Sequence, residues 1–256
     1  MRALILAAGS GLRLNGICGD TPKCLLEIGA QTLLNRQVEC LRLNGIDEIT
    51  VVVGYKAERV RRHASAGLHF VENEYYSRTN SLYSLWLARE ELADGFVVLN
   101  SDVLFHPALL ATLLDSPYED ALLVSFHQGG VANVGDEEMK VKVGGGRVRE
   151  ISKSMQPEQS DGENVGIAKF GPDGARLLLP IINDLISAGR YSEWAPRAFQ
   201  EFAFHRPLYA IGTEHYPWIE IDFPADYVRA LTEVFPDFAP LDEGLRQSAA
   251  TVSAIR

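Results

Sequence analysis

The chain has 256 residues and only three cysteines, Cys18, Cys24 and Cys40. The number is odd and no CxxC spacing occurs. That excludes a disulfide framework and a thiolate metal site, and it reads as free thiols in a reducing cytoplasm. Basic charge is also short. Lys and Arg total 24 against 34 Asp and Glu, for a formal net charge of −10. With no basic run, a nucleic-acid partner is not expected. No apolar run approaches the roughly 20 residues that cross a bilayer, so no membrane partner is expected either. The opening MRALILAA imitates a signal peptide, but it stops after eight residues at a Gly-rich loop and reads as a buried strand. The six histidines (His63, His69, His106, His127, His205, His215) show no HxxxH or HExxH spacing, so no metal or acid–base role falls on them. The 22 Gly and 12 Pro are scattered without period, which excludes collagen-like and low-complexity sequence. What remains is an ordinary globular composition, 46% apolar and 23% charged.

The first half alternates strand and helix signals. Residues 2–7, 49–54, 68–71, 96–100 and 121–126 are short apolar strands. Residues 32–43, 56–64, 80–92 and 107–114 are helices, the first stopped at Asn44-Gly45. Strands buried on both faces and separated by helices predict a mostly parallel sheet. Ligands in such sheets bind beyond the carboxyl ends of the strands. The loop at 8–22, the segment after Val71 and Asp102 all follow strand ends and are expected to converge. The second half differs. Residues 139–152 read as a hairpin around Gly144-Gly145-Gly146. Strands follow at 165–170, 207–212 and 218–222. Helices follow at 172–188 (with Pro180 a candidate kink), 192–204 and 224–235. The expected organisation is one domain over 1–240, with a nucleotide-binding half (1–126), an acceptor-binding half (127–240) and a C-terminal tail (241–256).

The strongest local feature is LAAGSGLRLNGICGDTPKCLL, residues 6–26. A strand runs into a small-residue loop, then Arg13, then Pro22-Lys23. Ala7, Ala8, Gly9 and Gly11 let a ligand lie against bare backbone amides, which suits phosphate oxygens and a nucleobase edge. It is not a Walker A loop, because no Gly-Lys-Ser/Thr follows at the right gap. It is not GxGxxG, because Leu14 stands at the third glycine position.

LAAGxGxRL followed by TPKCLL resembles the signature of the sugar-nucleotidyltransferase-like (nucleoside-triphosphate transferase) superfamily. The resemblance runs from Met1 to about Leu231, through GIDEITVVVGYKAE, NSLYSLWLA, LNSDVLF, ENVGIAKF and WIEIDFPADY. NSLYSLWLA and WIEID resemble the branch of phosphocholine, 2-aminoethylphosphonate and inositol-1-phosphate cytidylyltransferases. The resemblance implies a Rossmann-like, mostly parallel mixed α/β sheet flanked by helices, with a smaller acceptor-binding lobe. It implies Mg²⁺-dependent transfer of CMP from CTP to a small phosphorylated or phosphonylated alcohol, with release of pyrophosphate. A sugar-1-phosphate or inositol-1-phosphate nucleotidyltransferase is the near alternative. A non-catalytic nucleotide-binding regulator is the alternative of another class.

Roles follow by residue. Leu6, Ala7, Ala8, Gly9 and Gly11 are expected to cradle the nucleotide, with Asn80 and Ser81 at its base. Arg13 is expected at the leaving phosphates and Lys23 at the α-phosphate. Asp102 and Asp222 are expected to hold Mg²⁺, for which hard carboxylates are suited, with Glu220 on the same strand face as Asp222. Lys153, Glu163 and Asn164 are expected to meet the acceptor. Tyr191, Glu193, Trp194 and Trp218 could cage an ammonium. Lys169-Phe170 stands where phosphocholine enzymes carry an aromatic pair, which counts against phosphocholine if Lys169 faces the site. The sequence leaves a homodimer open.

Overall fold

A computed structural model describes residues 1–14, 19–127, 138–214 and 216–237. Cys18, His215 and the tail at 241–256 lie outside them. The strands in chain order are β1 (Arg2–Ala7), β2 (Glu27–Ile28), β3 (Gln31–Thr32), β4 (Ile49–Val53), β5 (His69–Glu72), β6 (Phe96–Asn100), β7 (Val103–Phe105) and β8 (Ala121–Phe126). Then come β9 (Lys140–Gly144), β10 (Arg147–Ser152), β11 (Gly162–Phe170), β12 (Tyr209–Gly212) and β13 (Trp218–Glu220). The helices are α1 (Leu33–Leu43), α2 (Ala57–His63), α3 (Ser81–Leu87), α4 (Pro107–Asp115), α5 (Pro172–Ser187), α6 (Pro196–His205) and α7 (Pro224–Arg229).

Nine strands form one sheet in the order β5-β4-β1-β6-β11-β8-β12-β10-β9. β5, β4, β1 and β6 are mutually parallel. β11 runs against both β6 and β8, and β12 is parallel to β8. β10 is antiparallel to β12 and to β9. The sheet is therefore mixed, as expected, with β10 and β11 reversed. Both sheet neighbours of β8 come from after residue 160.

Alternation along β1 explains the layers. Ala3, Ile5 and Ala7 enter one apolar cluster, with Leu34, Val38 and Leu41 of α1 and Leu109, Leu110 and Leu113 of α4. Leu4 and Leu6 enter the cluster on the other face, with Leu82 and Leu85 of α3, Leu178 and Ile182 of α5 and Phe202 of α6. Successive strand side chains point to opposite faces, so a strand covered on both sides must be apolar throughout. A third cluster joins Leu14, Leu26, Ile28, Leu104, Ile219, Ile221 and Val234 beneath the β7–β13 ribbon.

Local chemistry sets the ends. Thr32 caps α1, its hydroxyl accepting the Asn35 N–H at 3.2 Å. Gly45, at φ +76°, turns the chain out of α1. The helix expected over 80–92 is shorter, ending at Leu87 with a separate 3₁₀ turn at Arg89–Glu91. The helix expected from Ser192 begins at Pro196, which supplies the fixed φ of a first turn. The strand expected at 165–170 starts three residues earlier, and its register shifts between Asn164 and Ala168. α5 carries Pro180 inside one continuous helical span. β2, β3 and β7 were not expected; runs of two or three residues carry too little periodicity to be read.

Candidate active site

The carboxyl ends of β1, β5 and β6 open into a cleft of about 440 Å³, within the range of small-molecule sites. Ala8, Gly9 and Gly11 line it directly after β1, with Leu6, Ala7 and Arg13. A Cβ on Gly9 would meet nothing within 4 Å, so the backbone there lies open to a ligand. Gly11 adopts φ +60°, and a Cβ on it would stand 2.6 Å from Lys23 Cγ. Only glycine allows the Lys23 stem to lie across this loop.

Lys23 sits on a 3₁₀ turn, Lys23–Leu25, and its ammonium reaches two carboxylates. It donates to Asp102 Oδ2 at 3.3 Å and to Asp222 Oδ1. Arg13 Nη1 lies 3.8 Å from Asp222 Oδ2. Burial, the largest influence on Lys23, works to lower its pKa, but Asp102, Asp222 and Glu220 outweigh it and the net direction is upward. Lys23 therefore holds its charge.

The ribbon explains how acids 120 residues apart in the chain meet. β13 pairs antiparallel with β7, with Glu220 opposite Val103. The Ile221 N–H then donates to the Asp102 carbonyl at 2.9 Å. Ile219 and Ile221 turn into the third apolar cluster, so Glu220 and Asp222 face the cleft. Oxygens of Asp102, Glu220 and Asp222 lie within 4.8 Å of one another. Glu220 still meets solvent at the cleft mouth. Burial first, then Asp102 and Asp222, push its carboxyl up to about 8 against Lys23 and Lys153. Among the described residues, Asp102 Oδ1 is buried without a hydrogen-bond partner. An orphaned carboxylate oxygen beside two further carboxylates fits a divalent cation with hard oxygen ligands. Other residues cap the helices that follow these aspartates. His106 Nδ1 accepts the Ala108 N–H at the start of α4, and Asp226 accepts the Asp222 and Phe223 N–H groups before α7.

Asn80 and Ser81 line the cleft and also organise the start of α3. Asn80 Oδ1 accepts the Ser81 N–H at 2.8 Å. Ser81 Oγ accepts the Ala195 N–H at 2.8 Å. At the far end stand Lys153, Asn164 and Trp194. The Lys153 ammonium lies 4.6 Å from the Trp194 ring centre, within cation–π range.

Four residues expected at the acceptor stand outside the cleft lining. Trp218 packs against the core cluster that holds Phe105 and Leu109, away from the cleft lining. Tyr191 and Glu193 serve the α3 start through their backbone, their carbonyls accepting the Asn80 and Leu82 N–H groups. The Tyr191 ring lies edge-on to Tyr83, and Glu193 faces Arg190. Glu163 is absent from the lining; it lies opposite Lys140 in the sheet, and burial and then Glu138 push its carboxyl up to about 7. Lys169 also turns from the cleft. It is buried, with Nζ donating to the carbonyls of Leu114 and Ser116. The sequence argument against phosphocholine drawn from Lys169 therefore falls.

Asn73, Tyr76, Thr79 and Ser84 line the cleft without having been singled out. Asn73 is buried and its amide donates to Thr79 Oγ1 and Ser84 Oγ, both at 3.1 Å. Its place one residue beyond β5 was the available signal.

Sheet, loop and acid cluster together define a nucleotidyltransferase fold, and the chain belongs to the family of MobA-like NTP transferase domains, which it matches over residues 3–218. It is 37% identical over 119 residues to choline-phosphate cytidylyltransferase of Streptococcus pneumoniae (strain ATCC BAA-255 / R6), covering 46% of this chain and 52% of that protein. It is 36% identical over 130 residues to CMP-5'-(3-aminopropyl)phosphonate synthase of Streptomyces rubellomurinus (strain ATCC 31215), covering 49% of this chain and 21% of that protein. The matches thus span about half of the first relative and about a fifth of the second. The structure of the inositol-1-phosphate CTP transferase from T. maritima superposes with TM-score 0.72 at 22% identity, covering 91% of this chain and 97% of that one. At that identity the likeness speaks for the fold alone.

Proposed function

We propose that the cleft transfers CMP from CTP to a small phosphorylated or phosphonylated alcohol. An oxygen of the acceptor's phosphate or phosphonate attacks the α-phosphorus. The bond from that phosphorus to the bridging oxygen breaks, and pyrophosphate leaves with the electron pair. The observation that carries this reading is one cleft holding both the open backbone of Ala8–Gly11 and Lys23 against Asp102, Glu220 and Asp222. Two anions must meet here, so catalysis rests on alignment and positive charge. The acceptor is already a nucleophile at neutral pH and needs no general base.

Lys23 is the mobile point charge at the transferred phosphate. Arg13 faces the leaving phosphates, Leu6 to Gly11 receive the nucleotide, and Asn80 and Ser81 meet the base. Asp102 and Asp222, with Glu220 beside them, are the residues that would hold Mg²⁺. When bound, such an ion neutralises phosphate charge and fixes the triphosphate's geometry. Residues 1–126 provide most of the nucleotide side, and 127–240 the acceptor side, of one domain. A reducing cytoplasm is the proposed setting, which the buried free thiols of Cys24 and Cys40 support.

Lys153 and Asn164 are assigned to the acceptor. The Trp194 ring already faces the Lys153 ammonium, and Tyr191 and Trp218 stand outside the lining. That favours an acceptor bound through its anionic group over one held by a quaternary ammonium cage. Inositol or sugar phosphates, bound through the same kind of anionic group, are the second reading. The test is pyrophosphate release with Mg²⁺ and each of four NTPs against phosphocholine, 2-aminoethylphosphonate, inositol-1-phosphate and sugar-1-phosphates. Release with CTP and a phosphonate is expected. Nucleotide binding without release across the panel would favour the non-catalytic binder.

A further inference from the structure

The turn after β4 and the start of α2, residues 54–59, touch the Gly-rich loop at both of its ends. At the near end the Tyr55 N–H donates to the Ala8 carbonyl at 3.0 Å. A Cβ on Gly54 would stand 2.7 Å from Tyr76 Cβ and 2.8 Å from the Ala8 oxygen, so the turn is seated as closely as backbone allows. At the far end, three residues before Lys23, Asp20 is a hub. Tyr55 Oη donates to Asp20 Oδ1 at 2.7 Å. Lys56 Nζ pairs with Asp20 Oδ2. Arg59 donates to the Asp20 carbonyl at 3.2 Å and to Thr21 Oγ1 at 3.0 Å. Lys56 holds left-handed backbone, φ 50° and ψ 42°, which is uncommon for any residue other than glycine. Such strain persists only where surrounding contacts over-determine it.

We propose that this turn is a latch that positions Lys23, with Tyr55, Lys56, Arg59 and Asp20 as positioning residues that touch no substrate. The inference rests on the reading of Lys23 as the cation at the transferred phosphate. The Ala8 end is tied by main chain, so it persists in side-chain variants. The Asp20 end is tied by side chains at the surface, and its loss frees the Lys23 turn alone. An exposed ion pair contributes little by itself, but here four donor groups from one turn converge on two neighbouring residues. Misplacing a reacting group by about 1 Å can cost on the order of a hundredfold in rate. Partial loosening is expected to cost about five- to tenfold.

The experiment compares wild type with Asp20→Ala, Arg59→Ala and the conservative Arg59→Lys. Pyrophosphate release gives kcat and KM, and amide hydrogen exchange reads the turn at residues 23–26, where the Leu25 and Leu26 N–H groups donate to Pro22 and Lys23. Both alanine variants are expected to lower kcat about five- to tenfold and to leave the KM for CTP within about twofold. Exchange at Leu25 and Leu26 should quicken, the melting temperature should hold, and Arg59→Lys should recover part of kcat. Unchanged kcat and exchange in both alanine variants would overturn the latch, as would a fall in kcat accounted for by lost folded protein. If wild type releases no pyrophosphate with any acceptor, the functional reading fails, and exchange at Leu25 and Leu26 still decides whether the latch exists.

Discussion

The two sides of the cleft are built differently. The side proposed for the nucleotide draws on the parallel strands β1, β5 and β6, with Ala8, Gly9 and Asn73 on the loops immediately after β1 and β5. The side proposed for the acceptor draws on antiparallel β9, β10 and β11 and on the connection before α6, so Lys153, Asn164 and Trp194 arrive from both ends of strands and from a loop. In the parallel part every strand ends at the same edge, and position in the chain predicts position in the site. In the antiparallel part that rule has no force. The nucleotide side is thus a property of the sheet, and the acceptor side a property of individual side chains.

Substitutions can sharpen or break this contrast. Asp102→Asn should give the largest effect, lowering kcat roughly 10²–10³-fold by analogy with loss of a preorganised electrostatic group. Among the described residues its Oδ1 has no partner to lose, and asparagine keeps an acceptor oxygen for the Lys23 ammonium now on Oδ2, so urea unfolding should show stability little changed. Next is Glu163→Gln, a probe of the antiparallel part. The folded carboxyl keeps its proton up to about 7, against an ordinary value of 4.5. Between those values the folded state binds more protons than the unfolded one. Wild-type stability should therefore fall as pH rises from 4.5 through about 7, by about 1–3 kcal/mol. Glu163→Gln should flatten that slope and be the more stable protein at pH 8, as measured by urea unfolding at pH 5 and pH 8. Lys153→Ala should raise the acceptor KM about tenfold or more with the CTP KM steady; a rise in both would break the division between sides. Trp218→Phe should change either KM less than about twofold, because Trp218 packs against the core outside the cleft lining; steady-state kinetics with varied acceptor checks it.

The legibility of the sequence follows the same division. β1, β4, β6 and β8 are continuous apolar runs bounded by polar or glycine residues, and burial on both faces makes such runs plain. Asp102 was legible because it follows the end of β6 and stands in a motif that the family resemblance covers. Asp222 was an expectation of the family resemblance, and Glu220 followed from it because alternate strand residues share a face. Trp218 obeys the same alternation yet lies outside the lining, since alternation gives a face and says nothing of how far along it the cleft extends. Glu163 failed for a related reason: it neighbours Asn164, which does line the cleft, but successive strand residues face opposite ways. Tyr191 and Glu193 look like recognition residues because of their side chains, whereas their part here is played by carbonyls that any residue possesses. Asn73 and Ser84 went unnoticed because their meeting depends on a loop between β5 and α3 with no periodic pattern.

The placement of β11 bears on how the molecule is made. It lies at the middle of the sheet but is drawn from residues 162–170. A nascent chain that has emerged as far as β8 has the edge of β6 uncovered, and β8 itself has no sheet neighbour until β11 and β12 arrive. Pairings of such sequence separation close slowly, and unpaired edges invite association while they wait. The interval between synthesis of β8 and of β11 is therefore the period when this protein most needs protection from its own copies.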